Sequence, residues 1–231
     1  MKKSTLKSFK FLALILTCFI AISACKKDEV STTISYLRTV NASPTLATYN
    51  VYLNGSVINS AALPYAGSVA YTAREAGSYS LKFTTASSSE SLFTKSVTLS
   101  PNAYQSFYLI NKSGSLDGLA LTDDLSISAT DKAYIRFINL SPDAPAMDLI
   151  KNGTTTALFT NKAYKAATAF TQVDAGSYVL DAKETASGTV KASLTGFTFI
   201  AGYHYDIIYG GLVTPADDSQ RPVNLQAVLI K

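Results

Sequence analysis

An internal repeat constrains the fold of this chain more than any other feature of its sequence. Residues 35–55 read SYLRTVNASPTLATYNVYLNG, and residues 133–153 read AYIRFINLSPDAPAMDLIKNG. The matched residues, 98 positions apart, are Tyr36 and Tyr134, Arg38 and Arg136, Asn41 and Asn139, Ser43-Pro44 and Ser141-Pro142, and Asn54-Gly55 and Asn152-Gly153. A second match, AGSY, follows at 76–79 and 175–178. A spacing of about 100 residues is the size of a small domain and far exceeds a solenoid repeat unit.

Both copies have the residue pattern of a β protein. Short runs rich in Val, Ile, Thr, Tyr and Phe are separated by Gly, Pro, Asn and Ser, and no window has the helical i, i+3, i+4, i+7 recurrence. The predicted strands of the first copy are Ile34–Val40, Thr48–Leu53, Ser56–Ile58, Val69–Ala73, Ser78–Thr84, Leu92–Leu99, Tyr104–Ile110 and Gly118–Thr122. Those of the second copy are Ala133–Asn139, Met147–Lys151, Thr154–Phe159, Thr168–Val173, Ser177–Lys183, Lys191–Phe199, Tyr203–Tyr209 and Asn224–Ile230.

This spacing of short strands predicts an all-β chain made of two tandem β-sandwich domains, with a barrel in each copy as the alternative. The predicted domains are residues 34–125 and 133–231, joined by a polar linker, SISATDK, at 126–132. Tyr79, Leu81 and Phe83 alternate with polar residues, which indicates a strand with one buried face. The Asn-Gly pairs of both copies predict two-residue type I′ hairpins, because both residue types accept a positive φ.

The amino terminus has the features of a secretory signal. Lys2, Lys3, Lys7 and Lys10 precede an apolar run, Phe11–Ile22. That run is shorter than the roughly 20 residues that cross a bilayer as a helix. A positive start, a short apolar middle and small residues before a cleavage point are typical of an exported protein. We therefore expect residues 1–24 to be a signal peptide and nothing in it to span the membrane.

The end of the signal, Ile22-Ser23-Ala24-Cys25, resembles the bacterial lipobox. The resemblance implies signal peptidase cleavage after Ala24 and attachment of diacylglycerol to Cys25, followed by acylation of the new amine. An ordinary signal peptide that contains a cysteine is the alternative. Two acyl chains hold a protein on a membrane almost irreversibly, since each buried methylene contributes about 0.8 kcal/mol. Palmitate is thus expected on the mature chain.

A short polar segment follows the lipidated cysteine. Residues 25–33 have no periodicity and are predicted to be a tether. Within it, Lys26-Lys27-Asp28-Glu29 resembles the charged export signals of Bacteroidota surface lipoproteins. The resemblance implies the outer face of the outer membrane, with a periplasm-facing anchor or a simple solvated spacer as the alternatives.

Charge and cysteine content exclude several classes of partner and site. Four of the 20 basic residues lie in the signal, which leaves 16 basic against 16 acidic residues in the mature chain. A chain without a basic excess is a poor nucleic-acid binder. Cys18 leaves with the signal and Cys25 carries lipid, so the mature body has no thiol for a disulfide or a zinc site.

The order of these motifs resembles a known family. An R-x-x-N-x-S-P segment, a strand ending in Asn-Gly and then A-G-S-Y are similar to the domain of unknown function 4397, in tandem copies of Bacteroidota lipoprotein type. The resemblance implies Ig-like or transthyretin-like sandwiches, and it supplies no catalytic residue or cofactor. The second copy matches better, because Asp143-Ala144-Pro145 stands where the first copy has Thr45-Leu46-Ala47.

The residues with catalytic potential favour structural interpretations. His204 is the only histidine and stands in a strand-like run between two tyrosines. Asp123-Asp124 and Asp217-Asp218 are interpreted as solvated loop acids, with an adventitious calcium site as the alternative, because adjacent carboxylates on a strand point to opposite faces. No EF-hand pattern is present. We expect no catalytic, metal-binding or cofactor-binding site.

Two further residue types leave alternatives open. Arg38 and Arg136 recur in the first strand of each copy and are interpreted as fold-supporting, satisfying loop carbonyls or a carboxylate at the sandwich edge, with a ligand-binding pair as the alternative. The 14 tyrosines suit either core packing or stacking on sugar rings. The sequence does not rank the exposure of the candidates, which are Tyr49, Tyr65, Tyr71, Tyr164 and Tyr203.

Together these features predict a non-catalytic, lipid-anchored cell-surface protein. Its expected function is a binding or adhesion module for a glycan or a protein, since a rigid sandwich with variable loops suits recognition. A structural or accessory subunit of a cell-envelope assembly is the alternative, and an enzyme is disfavoured.

Overall fold

The computed structural model describes residues 33–230. The signal peptide, the cleavage site at Ala24, the lipid-attachment site at Cys25 and nearly all of the tether lie outside the described residues. Among the residues described, no helix has the length and hydropathy needed to cross a bilayer.

The described chain is all-β, as the sequence predicts. The strands of the first repeat are β1 (Ile34–Asn41), β2 (Tyr49–Leu53), β3 (Ser56–Val57), β4 (Ser68–Glu75), β5 (Gly77–Thr85), β6 (Phe93–Leu99), β7 (Tyr104–Ile110) and β8 (Asp117–Asp123). Those of the second repeat are β9 (Lys132–Asn139), β10 (Met147–Lys151), β11 (Ala157–Lys162), β12 (Thr171–Asp174), β13 (Gly176–Ser177), β14 (Leu180–Glu184), β15 (Val190–Leu194), β16 (Thr198–Phe199), β17 (His204–Gly210) and β18 (Asn224–Leu229).

Each repeat contains the same two four-stranded sheets. The inner sheets have the strand orders β4-β1-β7-β8 and β12-β9-β17-β18, and the outer sheets have the orders β3-β2-β5-β6 and β11-β10-β14-β15. In both inner sheets the two central strands pair in parallel, β1 with β7 and β9 with β17, while the other pairings are antiparallel. The sequence repeat is therefore a repeat of topology.

A separate hydrophobic core fills the space between the two sheets of each repeat. In the first repeat, Phe107 of the inner sheet stacks on Phe83 of the outer sheet, with ring centroids 5.9 Å apart. In the second repeat, Ile135 and Ile207 of the inner sheet share a buried cluster with Leu149 of the outer sheet. Each repeat is thus a β-sandwich, because the alternation of side chains along the strands gives each sheet one apolar face toward the other.

A third buried cluster joins the two repeats. Val40 and Tyr108 of the first inner sheet pack with Ile138 and Ile208 of the second inner sheet. The inner sheets are therefore covered on both faces, which explains why every residue of β17 is buried. The connection between β8 and β9 spans the predicted linker, and the division into two domains at 126–132 stays a prediction.

The repeated asparagine shapes the loop that follows the first strand of each copy. The Asn41 side-chain oxygen accepts from the Ser43 amide at 3.0 Å, and its amide group donates to the Leu63 carbonyl at 3.0 Å. The Asn139 side chain accepts from the Ser141 amide at 3.1 Å and donates to the Lys162 carbonyl at 3.0 Å. Such side-chain bonds replace main-chain partners in a turn, which accounts for the N-x-S-P spacing.

Local predictions of strand and turn are correct in the first repeat and partly wrong in the second. Asn54 and Gly55 have φ values of +47° and +84° and connect β2 directly to β3, as a type I′ hairpin requires. In the second copy, residues 152–156 separate β10 from β11, so the two-residue hairpin predicted there is wrong. The strands predicted at 177–183 and 191–199 are each broken in two, with β13 and β16 forming a small sheet of their own.

Candidate functional site

Arg136 lies at the centre of a buried ionic cluster between the inner sheets. Its Nε donates to Asp206 Oδ1 at 2.9 Å and its Nη1 donates to Asp123 Oδ1 at 2.7 Å. Its Nη2 lies 2.7 Å from Asp206 Oδ1 and donates to the Tyr108 hydroxyl at 3.0 Å. Asp123 and Tyr108 belong to the first repeat and Asp206 to the second, so this guanidinium binds both copies.

Arg38 completes the ionic cluster from the opposite repeat. Its Nη1 donates to Asp206 Oδ2 at 2.8 Å and to Ser106 Oγ at 3.3 Å. The Tyr108 hydroxyl donates a short hydrogen bond to the same Asp206 oxygen. Each repeated arginine thus forms an ion pair with a carboxylate of the other copy. The sequence predicts such pairing at a sandwich edge, whereas the structure has it in the interface between two sandwiches.

Asp123 is the second carboxylate of the cluster and is 4% exposed. Besides Arg136, it accepts hydrogen bonds from the Tyr71 hydroxyl at 2.5 Å and from Ser106 Oγ at 2.7 Å. The prediction of a solvated loop acid is therefore wrong for Asp123. Its neighbour Asp124 is exposed because the chain leaves the sheet after Asp123. Asp217 and Asp218 are exposed between β17 and β18.

The electrostatics of the cluster favour its charged, bonded state. Burial acts against the charge on Arg136, but Tyr108, Asp206 and Asp123 outweigh it, so the pKa of Arg136 is raised. Burial, and then the Asp206 carboxylate, raise the pKa of Tyr108 well above its usual value near 10. Two guanidinium groups face two carboxylates, which leaves the cluster without net charge. Buried ions tolerate desolvation only in such paired geometry, so this arrangement holds the repeats together and offers no free acid or base.

His204 is 1% exposed and packs among aromatic rings of the second repeat. Its imidazole stacks on Tyr134 with centroids 4.6 Å apart and meets Phe170 edge-on at 5.0 Å. The guanidinium carbon of Arg136 lies over the Phe170 ring at 4.5 Å. His204 is therefore part of a packed aromatic group, in agreement with its structural interpretation.

An open cleft lies beside this aromatic group. It has a volume of about 520 Å³ and is bounded by the segment after β8 on one side and by β12 with the loop before it on the other. We call it the linker cleft; its lining residues are Thr122, Asp124, Ser126, Ser128, Tyr134, Arg136, Thr168, Ala169, Phe170, Thr171 and Gln172. Its volume lies within the range of small-molecule binding clefts, roughly 300–1,000 Å³.

The walls of the linker cleft are held by side-chain hydrogen bonds. The Tyr134 hydroxyl accepts from the amides of Ser128 and Ala129 at 2.7 and 2.6 Å. Gln172 donates to Ser128 Oγ at 2.6 Å. Hydrogen bonds from Ser126 lower the pKa of Asp124, so its exposed carboxylate is ionised at neutral pH. The segment after β8 is thus fixed against β9 and β12 and forms a preorganised wall.

A smaller cleft, of about 320 Å³, adjoins the linker cleft along β12. Gln172 lines both clefts. Here Lys132 pairs with Asp174 at 2.7 Å, and the Lys151 ammonium lies 4.4 Å from the Tyr178 ring centroid. The edge strand β12 therefore lines two concave surfaces of different chemistry, the first rich in hydroxyls and the second bearing lysines.

The tyrosines proposed for sugar stacking do not form an exposed set. Tyr203 is 42% exposed, whereas Tyr49 is fully buried. Tyr65, Tyr71 and Tyr164 are half-buried, and the Tyr65 hydroxyl donates to Asn224 at 3.3 Å. Burial raises the pKa of Tyr65 to about 12. The aromatic residues that line the linker cleft are instead Tyr134 and Phe170, and sequence reasoning did not single out Phe170.

Asp206 is the other residue that sequence reasoning missed. It stands in the middle of an otherwise apolar strand, YHYDIIY at 203–209. A carboxylate in such a run must be paired, because burying an unpaired charge is prohibitively costly. That pattern, read together with the repeated arginines, is the signal that would have found the ionic cluster. Among residues 33–230, no group of three or more histidine, cysteine, aspartate or glutamate side chains is arranged to hold a metal ion.

Comparison with known proteins identifies a family. The family described as "Domain of unknown function (DUF4397)" matches residues 35–150, which cover the first repeat and the start of the second. No curated protein matches the sequence.

Two solved structures have a limited similarity to this chain. A family 26 carbohydrate-binding module from Eubacterium rectale, in complex with maltoheptaose, is 11% identical with a TM-score of 0.25, covering 84% of this chain and 95% of that one. A leucine-rich repeat protein from Bacteroides thetaiotaomicron is 12% identical with a TM-score of 0.19, covering 86% of this chain and 27% of that one. At such TM-scores neither likeness bears on function.

Proposed function

The chain belongs to the DUF4397 family, and we propose that it is a non-catalytic, lipid-anchored binding or adhesion module that takes a glycan or a protein at the cell surface. Cys25 carries the lipid and Ala24 is the last residue of the signal peptide in this proposal. The outer membrane is the proposed location, with the two sandwiches held outside it by the tether.

The linker cleft is the observation that carries the proposal of a binding function. Its volume of about 520 Å³ suits a small ligand or one unit of a larger one. Its walls are fixed by the Tyr134 and Gln172 hydrogen bonds, so a ligand would not have to order them on binding. Preorganisation of this kind improves affinity by reducing the entropy that binding costs.

The state of the ionisable groups near the cleft supports a function without catalysis. Arg136 lines the cleft, but its three nitrogens already contact Asp206, Asp123 and Tyr108. General acid–base chemistry needs a titratable group that is free to exchange a proton with a substrate. The exposed titratable group of the cleft is the Asp124 carboxylate, whose pKa is lowered by hydrogen bonds from Ser126, so that it is a weak base. The cleft otherwise offers hydroxyl and amide groups that suit recognition.

Capture experiments with a soluble chain, Lys26–Lys231, test the binding function. The chain is immobilised and incubated with extracellular glycans, secreted proteins and an envelope extract. We expect Gln172→Trp, which obstructs the linker cleft and the smaller cleft that shares this residue, to abolish capture. Ala73→Trp is the matched control. Ala73 pairs with Tyr36 in the first repeat as Gln172 pairs with Tyr134 in the second, and both residues are exposed.

Two outcomes would contradict the proposal. If both tryptophan variants capture as well as the parent chain, the linker cleft is not the binding site. If only envelope proteins are retained, the chain is an accessory subunit of an envelope assembly instead. Anchoring is tested separately by labelled palmitate, which should enter the full-length protein and fail to enter Cys25→Ala.

A further inference from the structure

We propose that the ligand of the linker cleft is an uncharged, hydroxyl-rich sugar, held by Asp124 and Gln172 against the ring of Phe170. This inference rests on the proposed binding function and adds the chemical class of the ligand. It follows from the charges, the polar groups and the aromatic surface that face the cleft.

The charges around the cleft disfavour an anionic ligand. Arg136 is the one cation among its lining residues. Arg136 is 2% exposed, and its guanidinium lies between Asp123 and Asp206. These two carboxylates neutralise the charges of both Arg136 and Arg38. Asp124 adds an exposed negative charge at the rim. A carboxylate, sulfate or phosphate would therefore meet a like charge and no free cation, and like charges across an interface lower affinity.

The polar groups of the cleft match a ligand with many hydroxyls. The hydroxyls of Thr122 and Thr171 can each donate and accept a hydrogen bond, and Gln172, whose amide already donates to Ser128, keeps a second N–H and a carbonyl acceptor. The Thr168 hydroxyl is already bonded to the Phe137 amide and the Ala169 carbonyl. The Asp124 carboxylate accepts from the Ser126 amide through Oδ1 at 3.1 Å, and its remaining lone pairs suit the hydroxyls of a pyranose. Hydrogen bonds to a charged group are about twice as strong as those between neutral groups. We therefore expect Asp124 to contribute more affinity than any single hydroxyl.

The apolar lining of the cleft is limited to Phe170, Tyr134 and Ala169 and is not an extended apolar surface. Phe170 is half-buried, and Arg136 on one side and His204 at its edge fix its orientation. An oriented aromatic ring provides a flat apolar surface for the C–H face of a sugar, since Phe buries a large area with few rotatable bonds. Ala169 beside it leaves room for a ring to approach. A lipid would require a much larger apolar lining.

Binding of defined hexasaccharides to the soluble chain, measured by calorimetry, tests the inference. The probes are uncharged hexasaccharides of glucose, galactose and mannose, hexasaccharides of glucuronic and galacturonic acid, and a glucosamine hexasaccharide. We expect at least one uncharged probe to bind and the acidic probes to fail. Asp124→Asn should weaken binding of the uncharged probe by about tenfold or more, because it removes a charge-assisted acceptor. Asp131→Asn, at an exposed acid that does not line the cleft, is the control.

The possible results separate this inference from the proposed function. Preferred binding of the acidic or glucosamine probes, or of a peptide, that is lost in Gln172→Trp would overturn the ligand class and leave the binding site intact. Binding of an uncharged probe that is unchanged in Gln172→Trp would overturn both. A loss of affinity in Asp131→Asn equal to that in Asp124→Asn would show a general charge effect and would also overturn the role given to Asp124.

Discussion

The two repeats build the same aromatic group from different residues. In the first repeat, Tyr36 stacks on Tyr104 at 4.5 Å, and Tyr71 meets Tyr104 edge-on at 5.1 Å. In the second, the same register positions bring Tyr134 onto His204 at 4.6 Å, with Phe170 edge-on at 5.0 Å. The geometry is kept while the chemistry changes, and we infer that the backbone register, more than the identity of the rings, positions the group.

The changes of chemistry decide what each repeat contributes. The Tyr71 hydroxyl bonds to Asp123, whereas Phe170, at the equivalent position, has no hydroxyl and lines the linker cleft. Ser106 pairs in register with Arg38, and Asp206 pairs in register with Arg136. Asp206 therefore supplies a carboxylate that both arginines share, where the first repeat has only a hydroxyl. Divergence at these positions turns two similar sandwiches into complementary partners.

Removal of an arginine tests this asymmetry with the largest expected effect. Arg136→Met leaves Asp123 and Asp206 short of a partner and should lower the free energy of unfolding by about 3–5 kcal/mol. Arg38→Met should cost less, because Arg136 still faces both carboxylates and Arg38 Nη2 has no hydrogen-bond partner among the described residues. Urea unfolding curves measure both. Equal losses of unfolding free energy in the two variants would contradict the asymmetry between the two arginines.

Removal of the repeated asparagines tests what the copies have in common. Asn41→Ala and Asn139→Ala each remove a hydrogen bond from a loop amide and at least one to a loop carbonyl, which should lower the free energy of unfolding by about 1–3 kcal/mol. Asn139→Ala should lower the free energy of unfolding somewhat more than Asn41→Ala, because the Asn139 side chain also donates to the Pro145 carbonyl at 3.3 Å. Thermal unfolding followed by circular dichroism gives the two values. A large loss in one copy and none in the other would mean that the loops are not equivalent.

Exchange of the stacked ring tests whether register alone positions the aromatic group. His204→Tyr places the residue of the first repeat in the second and should cost less than about 1.5 kcal/mol if the site repacks. His204→Ala removes the ring and should cost about 2–5 kcal/mol, as for other large buried side chains. The same urea titrations apply. A tyrosine variant as unstable as the alanine variant would show that the imidazole itself is required.

Alkaline pH tests the contribution of the first repeat's hydroxyls. Burial and then Asp123 raise the pKa of Tyr71 above its usual value. A raised pKa in the folded state means that the protonated phenol stabilises the fold below pH 10, and that this stability is lost as pH rises further. Tyr71→Phe copies the second repeat and should flatten the decline in unfolding free energy between about pH 9 and 11. An unchanged pH profile would exclude Tyr71 as a source of the decline.

The sequence is sufficient to predict the strands of this protein wherever apolar residues alternate with polar ones. β2 and β5 follow such alternation, and β7 has the predicted bounds, Tyr104–Ile110. The prediction is less accurate at 177–183 and 191–199, where the structure divides each run between two sheets. A strand's residues determine that it is extended, but only its neighbours determine how long it stays paired.

The ionic cluster depends on contacts between the repeats, which the sequence alone does not reveal. By itself, the sequence determined that there are two copies of an all-β unit and that Arg38 and Arg136 hold equivalent positions, because both facts lie in local pattern and spacing. Only the tertiary structure decided that Asp123 and Asp206 neutralise those arginines and that Phe170 faces a cleft. Residues such as Arg38 and Asp206 lie far apart in the chain, and their pairing appears only when two sheets bury one face against each other.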